Sequence, residues 1–187
     1  MTLRHHLRTA TRAEHDRVDA LGERYDLTSA NGYGSFLMAH ARALPSLEAA
    51  IGTSGQRPQD WPERRRTPAL LADLARLGLT PPAPLAAPEL PRQAMGLGAL
   101  YVLEGSRLGG AVLRRRLKDA QPEAPDAYLS HGEGRPLWRS FLDWLADHEA
   151  DPEAIEDAVA GARRAFGHFE KALGSTPVDT LGAPTIS

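Results

Sequence analysis

Apolar positions along this chain recur every three to four residues in six separate stretches, with no convincing run of the strict alternation that a half-buried strand requires. Leu3, Leu7, Thr11, Glu14, Val18 and Leu21 fall on one stripe and predict a first helix over 2–22, with Thr2 as its N-cap. Ser29 is placed to cap a second helix, whose stripe is Phe36, Leu37, His40, Leu44, Leu47 and Ile51. Thr67-Pro68 reads as a cap followed by proline at the first helical position, opening a helix over 69–77 that Gly78 ends. Five prolines in 79–91 predict a stiff connector. A long helix is expected over 91–118, then a polar loop to 135 and a fifth helix marked by Leu137, Phe141, Trp144 and Leu145. Asp151-Pro152 starts the last helix, in which Ile155, Val159, Ala162, Phe166, Phe169 and Leu173 keep a clean three-four spacing. The expected architecture is all-α, a single-domain multi-helix bundle over 1–174 followed by a flexible tail over 175–187.

One stretch of the long helix conflicts with its own helical reading. Tyr101-Val-Leu-Glu-Gly-Ser-Arg-Leu-Gly-Gly-Ala-Val-Leu113 places Gly105, Gly109 and Gly110 in a helix interior. Each glycine there costs about 1 kcal/mol relative to alanine, so roughly 3 kcal/mol of helix propensity is forgone. Close approach of the helix backbone to another body is the usual compensation, either a second helix or a flat ligand. Gly105 and Gly109 are one turn apart on one face, with Gly110 beside them.

Composition narrows the chemistry that such a surface could serve. The 187 residues include no cysteine, which excludes disulfides, thiolate metal sites, iron–sulfur clusters and cysteine nucleophiles. Histidine is left as the obvious soft ligand. The formal net charge of −2 gives no reason to expect nucleic acid. No apolar run reaches membrane-spanning length and the N-terminus lacks a signal-peptide core, so no membrane association and a cytoplasmic location are expected. The basic runs 64–66 and 114–116 read as solvated faces, the second also suited to docking an acidic protein.

Among seven histidines, His15 is the one whose neighbours form a pattern. It lies on the flank of the first apolar stripe near Thr11 and Val18, at the edge of a core or pocket. Arg8 is seven residues earlier at nearly the same azimuth, about 10 Å along the axis, and Asp19 is one turn later within side-chain reach. A neutral imidazole can bind iron through one nitrogen while Asp19 takes the other N–H and fixes the ring. A surface ion pair is the competing reading.

Leu7-Arg8-Thr9-Ala10-Thr11-Arg12-Ala13-Glu14-His15, followed much later by Tyr101-Val-Leu-Glu-Gly-Ser-Arg-Leu-Gly-Gly, resembles the heme oxygenases, particularly their small bacterial members. The resemblance implies a heme oxygenase-like bundle with heme between the first helix and a kinked, glycine-rich distal helix. It implies that His15 ligates the iron, that Asp19 accepts the second imidazole N–H, and that Arg8 and Tyr101 contact heme propionates. It brings Thr11, Gly105, Gly109 and Gly110 into the heme-contacting set, and gives Gly105, Ser106 and Gly109 the task of shaping the distal side for catalysis. Ser106 stands where mammalian-type members carry an aspartate that organises water. Heme would be both substrate and cofactor, cleaved by O2 at a meso carbon to biliverdin, CO and ferrous iron, with electrons from an external ferredoxin or reductase. A bilin-accepting protein is a further implied partner. Arg135 and Arg139 are candidates, by location alone, for a second propionate contact.

Rival readings are weighed on the same residues. A di-iron carboxylate bundle requires Glu-x-x-His pairs, and no histidine here has a glutamate three residues before it. Thiamine-degrading helical enzymes require a cysteine. A heme carrier or sensor on the same scaffold would place a second ligand such as His or Met on the distal side, where this chain offers glycine and serine.

Overall fold

The computed structural model describes residues 2–148 and 151–178. Eight helices are present among the described residues and no strand: α1 (Leu3–Ala10), α2 (Arg12–Gly22), α3 (Ala30–Thr53), α4 (Trp61–Arg64), α5 (Thr67–Arg76), α6 (Gln93–Ala120), α7 (Leu137–Ala146) and α8 (Pro152–Ser175).

The two helices beyond the six expected have local causes. Thr11 divides the first predicted helix: it is buried and leaves helical geometry (φ −117°, ψ 16°), and its hydroxyl donates back to the Leu7 carbonyl at 2.8 Å. The short α4 lies in 52–66, where no apolar period is long enough to announce a helix. Cap predictions hold at Thr2 and Ser29, whose side chains accept from the backbone N–H groups of His5 and Gly32, and Asp151, expected at the start of the last helix, caps it by accepting from the Ala154 N–H. At Thr67 the prediction is corrected. Thr67 is already the first helical residue, its buried hydroxyl finds no partner, and the Glu48 carboxylate of α3 accepts from the N–H groups of Arg66 and Thr67 instead. Gly78 ends α5 with φ +70°, a conformation that suits glycine.

α8 is the central element, packing against α6, α3, α2 and α1. Its contact with α6 is backbone to backbone. A Cβ on Gly98 would collide with the Ala158 carbonyl, and one on Gly161 with the Met95 carbonyl, so both helices need glycine to approach this closely. Leu44, Leu47 and Ile51 of α3, Leu70 and Leu74 of α5, and Phe141 of α7 complete the core. The connector 79–91 contains no helix, as its prolines require, and is tied to α3 by the Leu85 N–H donating to the Arg42 carbonyl at 2.7 Å. Tyr25, just after α2, donates to the Leu173 carbonyl at 2.7 Å, fastening the end of α2 to the end of α8. Thr176 is buried, and most of the expected tail, 179–187, lies outside the described residues.

Candidate functional site

The C-terminal half of α6 carries glycines that the protein itself does not need. A Cβ added at Gly109 would meet nothing within 4 Å. At Gly105 it would meet only Trp138 at 3.7 Å, and at Gly110 only the Leu129 carbonyl at 3.8 Å, both ordinary contacts. Tight helix packing therefore does not explain these three residues. Leu108 and Val112, two of the three exposed large apolar residues among the described residues, stand on the same stretch at 55% and 60% exposure. Bare glycine backbone beside uncovered apolar side chains is a surface suited to a flat apolar ligand. A depression of about 580 Å³ also borders Leu108 and Trp138, but its lining comes from α6 and 129–138 and includes no residue of α2.

His15 and Asp19 project from α2, a helix with no buried residue, which packs on α8. The His15 ring meets Phe166 of α8 edge-on with centroids 6.0 Å apart. His15 Nδ1 is 3.1 Å from Asp19 Oδ2, so one nitrogen is held by the carboxylate and Nε2 remains available. Both side chains are about three-fifths exposed, at 60% and 63%. Thr11, expected in the same site, is instead the buried joint between α1 and α2 with its hydroxyl proton committed to Leu7. Among the described residues, no three histidine or carboxylate groups converge to hold a metal ion. A lone imidazole with a carboxylate behind it is the donor set that an iron already held by a macrocycle asks of a protein.

Ser106 is tied from behind. Its hydroxyl donates to the Leu103 carbonyl at 2.7 Å, and Arg66 Nη2 donates to the Ser106 oxygen at 2.8 Å and to Leu103 O at 3.0 Å. One acceptor lone pair is left on the serine oxygen. The reading of 64–66 as a solvated face is corrected at two of its three positions. Arg64 and Arg66 are buried at 3% and 5% exposure, because α6 and α7 offer their guanidinium groups acceptors. Arg64 pairs with Glu104 at 2.8 Å, and Glu104 also receives Arg107. Arg66 lies over the ring of Tyr128, whose N–H is fixed by the buried Asp73 carboxylate at 2.8 Å. Nothing in the periodicity of 61–67 marks these arginines as buried.

Two further histidines lie close by. The His40 Nδ1–H donates to the Phe36 carbonyl at 2.9 Å, and its ring centroid rests 5.5 Å from that of Tyr128. Burial pushes its pKa down to about 4, with Arg66 adding to the effect. His131 sits 3.1 Å from Arg107 Nη1, and burial together with Arg107 and Arg66 lowers its pKa to about 4 as well. Both are neutral near pH 7.

At the other end of the glycine strip, Tyr101 lies half-buried with its ring 5.8 Å from Trp138, the residue that faces Gly105. Its hydroxyl has no hydrogen-bond partner among the described residues. Arg8 follows Arg4 by one turn on α1, and Arg4 lies over the Trp138 ring that neighbours Tyr101, which sets both arginines toward this end. Burial raises the Tyr101 pKa, and the charges of Arg4 and Arg8 oppose that rise. Arg135, offered from sequence as a second cation, pairs instead with Glu63 at 2.7 Å. Arg139 is exposed, and nothing in the structure links it to this end.

A heme oxygenase family model matches residues 86–174 of this chain. A heme oxygenase of Xanthomonas campestris pv. campestris (strain 8004) is 35% identical over 166 residues, covering 83% of this chain and 96% of the relative. The crystal structure of the NO- and CO-bound heme oxygenase from Neisseria meningitidis is similar with a TM-score of 0.77 at 26% identity, over 92% of this chain and 90% of that one.

Proposed function

Since this chain belongs to the heme oxygenase family and is a heme-degrading enzyme, we propose that it opens heme at a meso carbon with O2 and external electrons, releasing biliverdin, CO and ferrous iron. Heme is the substrate, and its own iron supplies the oxygen chemistry. The observation that carries this reading is the strip Gly105, Gly109 and Gly110, where protein packing leaves room for a side chain and does not require glycine, beside the exposed Leu108 and Val112.

In this reading each residue has a limited task. His15 presents Nε2 to the iron, and Asp19 keeps the proton on Nδ1 so that Nε2 is the basic nitrogen. Gly109 lets the α6 backbone reach the porphyrin plane. Ser106, held by Arg66 and Leu103, offers an acceptor of fixed position for a distal water and cannot swing its proton freely. Arg8 and Tyr101 take a propionate. Electrons arrive from a separate ferredoxin or reductase.

The test is spectroscopic. Adding hemin to the purified chain should raise a Soret band, and a reductant under air should replace that band with biliverdin absorption. A Soret band that persists under reduction would count for a heme carrier and against turnover. In His15→Ala the ferric spectrum should change as the axial nitrogen is lost; an unchanged spectrum would assign the ligand elsewhere.

A further inference from the structure

Heme carries two propionates, and Arg8 with Tyr101 accounts for one. The residues around Tyr101 point to the second cation. Arg4 is one turn before Arg8 on α1, so the two side chains share a face. Its guanidinium carbon lies 6.0 Å from the centroid of the Trp138 ring, the ring that faces Gly105 and neighbours Tyr101. Arg4, Trp138, Gly105 and Tyr101 therefore form a continuous wall at one end of the glycine strip. Arg4 and Arg8 are both exposed, and neither has a carboxylate partner among the described residues. Near α6, Arg107 is matched with Glu104, Arg114 with Asp126 and Arg135 with Glu63, while Arg115, Arg116 and Arg139 are unmatched among the described residues but have no contact with Tyr101. Two unmatched guanidinium groups and an unmatched phenol at one end of an apolar strip form a donor cluster that lacks its anion.

We propose that Arg4 binds the second propionate of heme, and that Arg4 and Arg8 together fix the rotation of the macrocycle in its plane. The ring of Trp138 supports the Arg4 guanidinium by a cation–π contact, leaving its N–H edge for the carboxylate. This inference rests on the heme-degrading reading above. Its consequence is for specificity: the rotation decides which meso carbon faces the distal side, so a chain lacking Arg4 should hold heme in more than one rotation.

The experiment compares hemin with hemin dimethyl ester, which keeps the macrocycle and iron and removes both carboxylate charges. Arg4→Ala should weaken hemin binding by about tenfold, as the loss of one charge-assisted hydrogen bond implies, with a smaller loss at high salt. The same variant should bind the dimethyl ester as the unaltered chain does. Its turnover should yield a mixture of biliverdin isomers where the unaltered chain gives one. Arg12→Ala, which removes an exposed α2 arginine, controls for a general effect of charge. Unchanged hemin affinity in Arg4→Ala, or an equal loss for hemin and its ester, would overturn the assignment. Should the unaltered chain bind neither, the heme-degrading reading itself would fall, and Arg4 with it.

Discussion

Along α6, Gly96 and Gly98 lie too close to protein to admit a methyl group, whereas Gly105, Gly109 and Gly110 leave room for one. A Cβ at Gly98 would strike the backbone of α8, and one at Gly96 would strike Ser54. Twelve residues on, a Cβ at Gly110 would find an ordinary contact, and at Gly109 it would find open space. Glycine in the N-terminal half thus secures the α6–α8 packing that holds the domain together. In the C-terminal half it lowers the stability of the helix with no return inside the protein. The same residue type in one helix therefore separates glycines that packing demands from glycines that packing does not, and the criterion is the space a methyl group would enter.

The largest effect that tests this contrast belongs to Gly98→Ala. A methyl group forced against the Ala158 carbonyl should cost about 3 kcal/mol or prevent folding. Unfolding by urea would show it, and a variant as stable as the parent would mean that the two halves do not differ as described. A pH experiment comes next, because Arg107 in the C-terminal half meets His131. His131 has a folded pKa lowered to about 4 from an ordinary 6.5. The unfolded chain takes up this proton first, so the stability it confers is complete above pH 6.5 and is lost as pH falls from 6.5 to 4. It contributes a slope approaching about 1.4 kcal/mol per pH unit inside that window. Hydrogen exchange at pH 7 and pH 5, corrected for intrinsic rates, should show greater loss of protection over 103–113 than over 95–101. Equal loss in the two stretches would remove the distinction. The smallest effect has the opposite sign. Gly109→Ala should stabilise the heme-free chain by about 0.5–1 kcal/mol through helix propensity alone, while weakening hemin binding. A destabilised Gly109→Ala would show that this face meets protein after all.

The sequence shows helix positions well where a cap and a stripe coincide. Ser29 with the α3 stripe and Asp151 with the α8 stripe are both legible because local hydrogen bonding and side-chain spacing agree. Legibility fails where a distant residue takes over a local task. Glu48 supplies the start of α5, and no inspection of Thr67-Pro68 reveals a carboxylate on another helix. Arg64 and Arg66 are buried for the same reason: their acceptors, Glu104 and Ser106, are 40 residues away. Pro45 lies within α3, where its missing N–H interrupts the ladder that the surrounding apolar stripe would suggest is continuous. At the candidate site, spacing placed His15 next to Asp19 and put Gly105 and Gly109 on one face. The arginine behind Ser106 and the position of Arg4 over Trp138 depend on tertiary contacts that no periodicity encodes.

The joint at Thr11 has a mechanical meaning. Thr11 is fixed in the core, and beyond it α2 extends for 11 residues without burying one side chain. At 1.5 Å per residue α2 spans about 16 Å, and His15 stands about 6 Å from Thr11. Tyr25 ties the far end of α2 to α8, so the helix is held at both ends like a beam. His15 stands nearer the Thr11 support than the Tyr25 one, where bending of the beam displaces a side chain least.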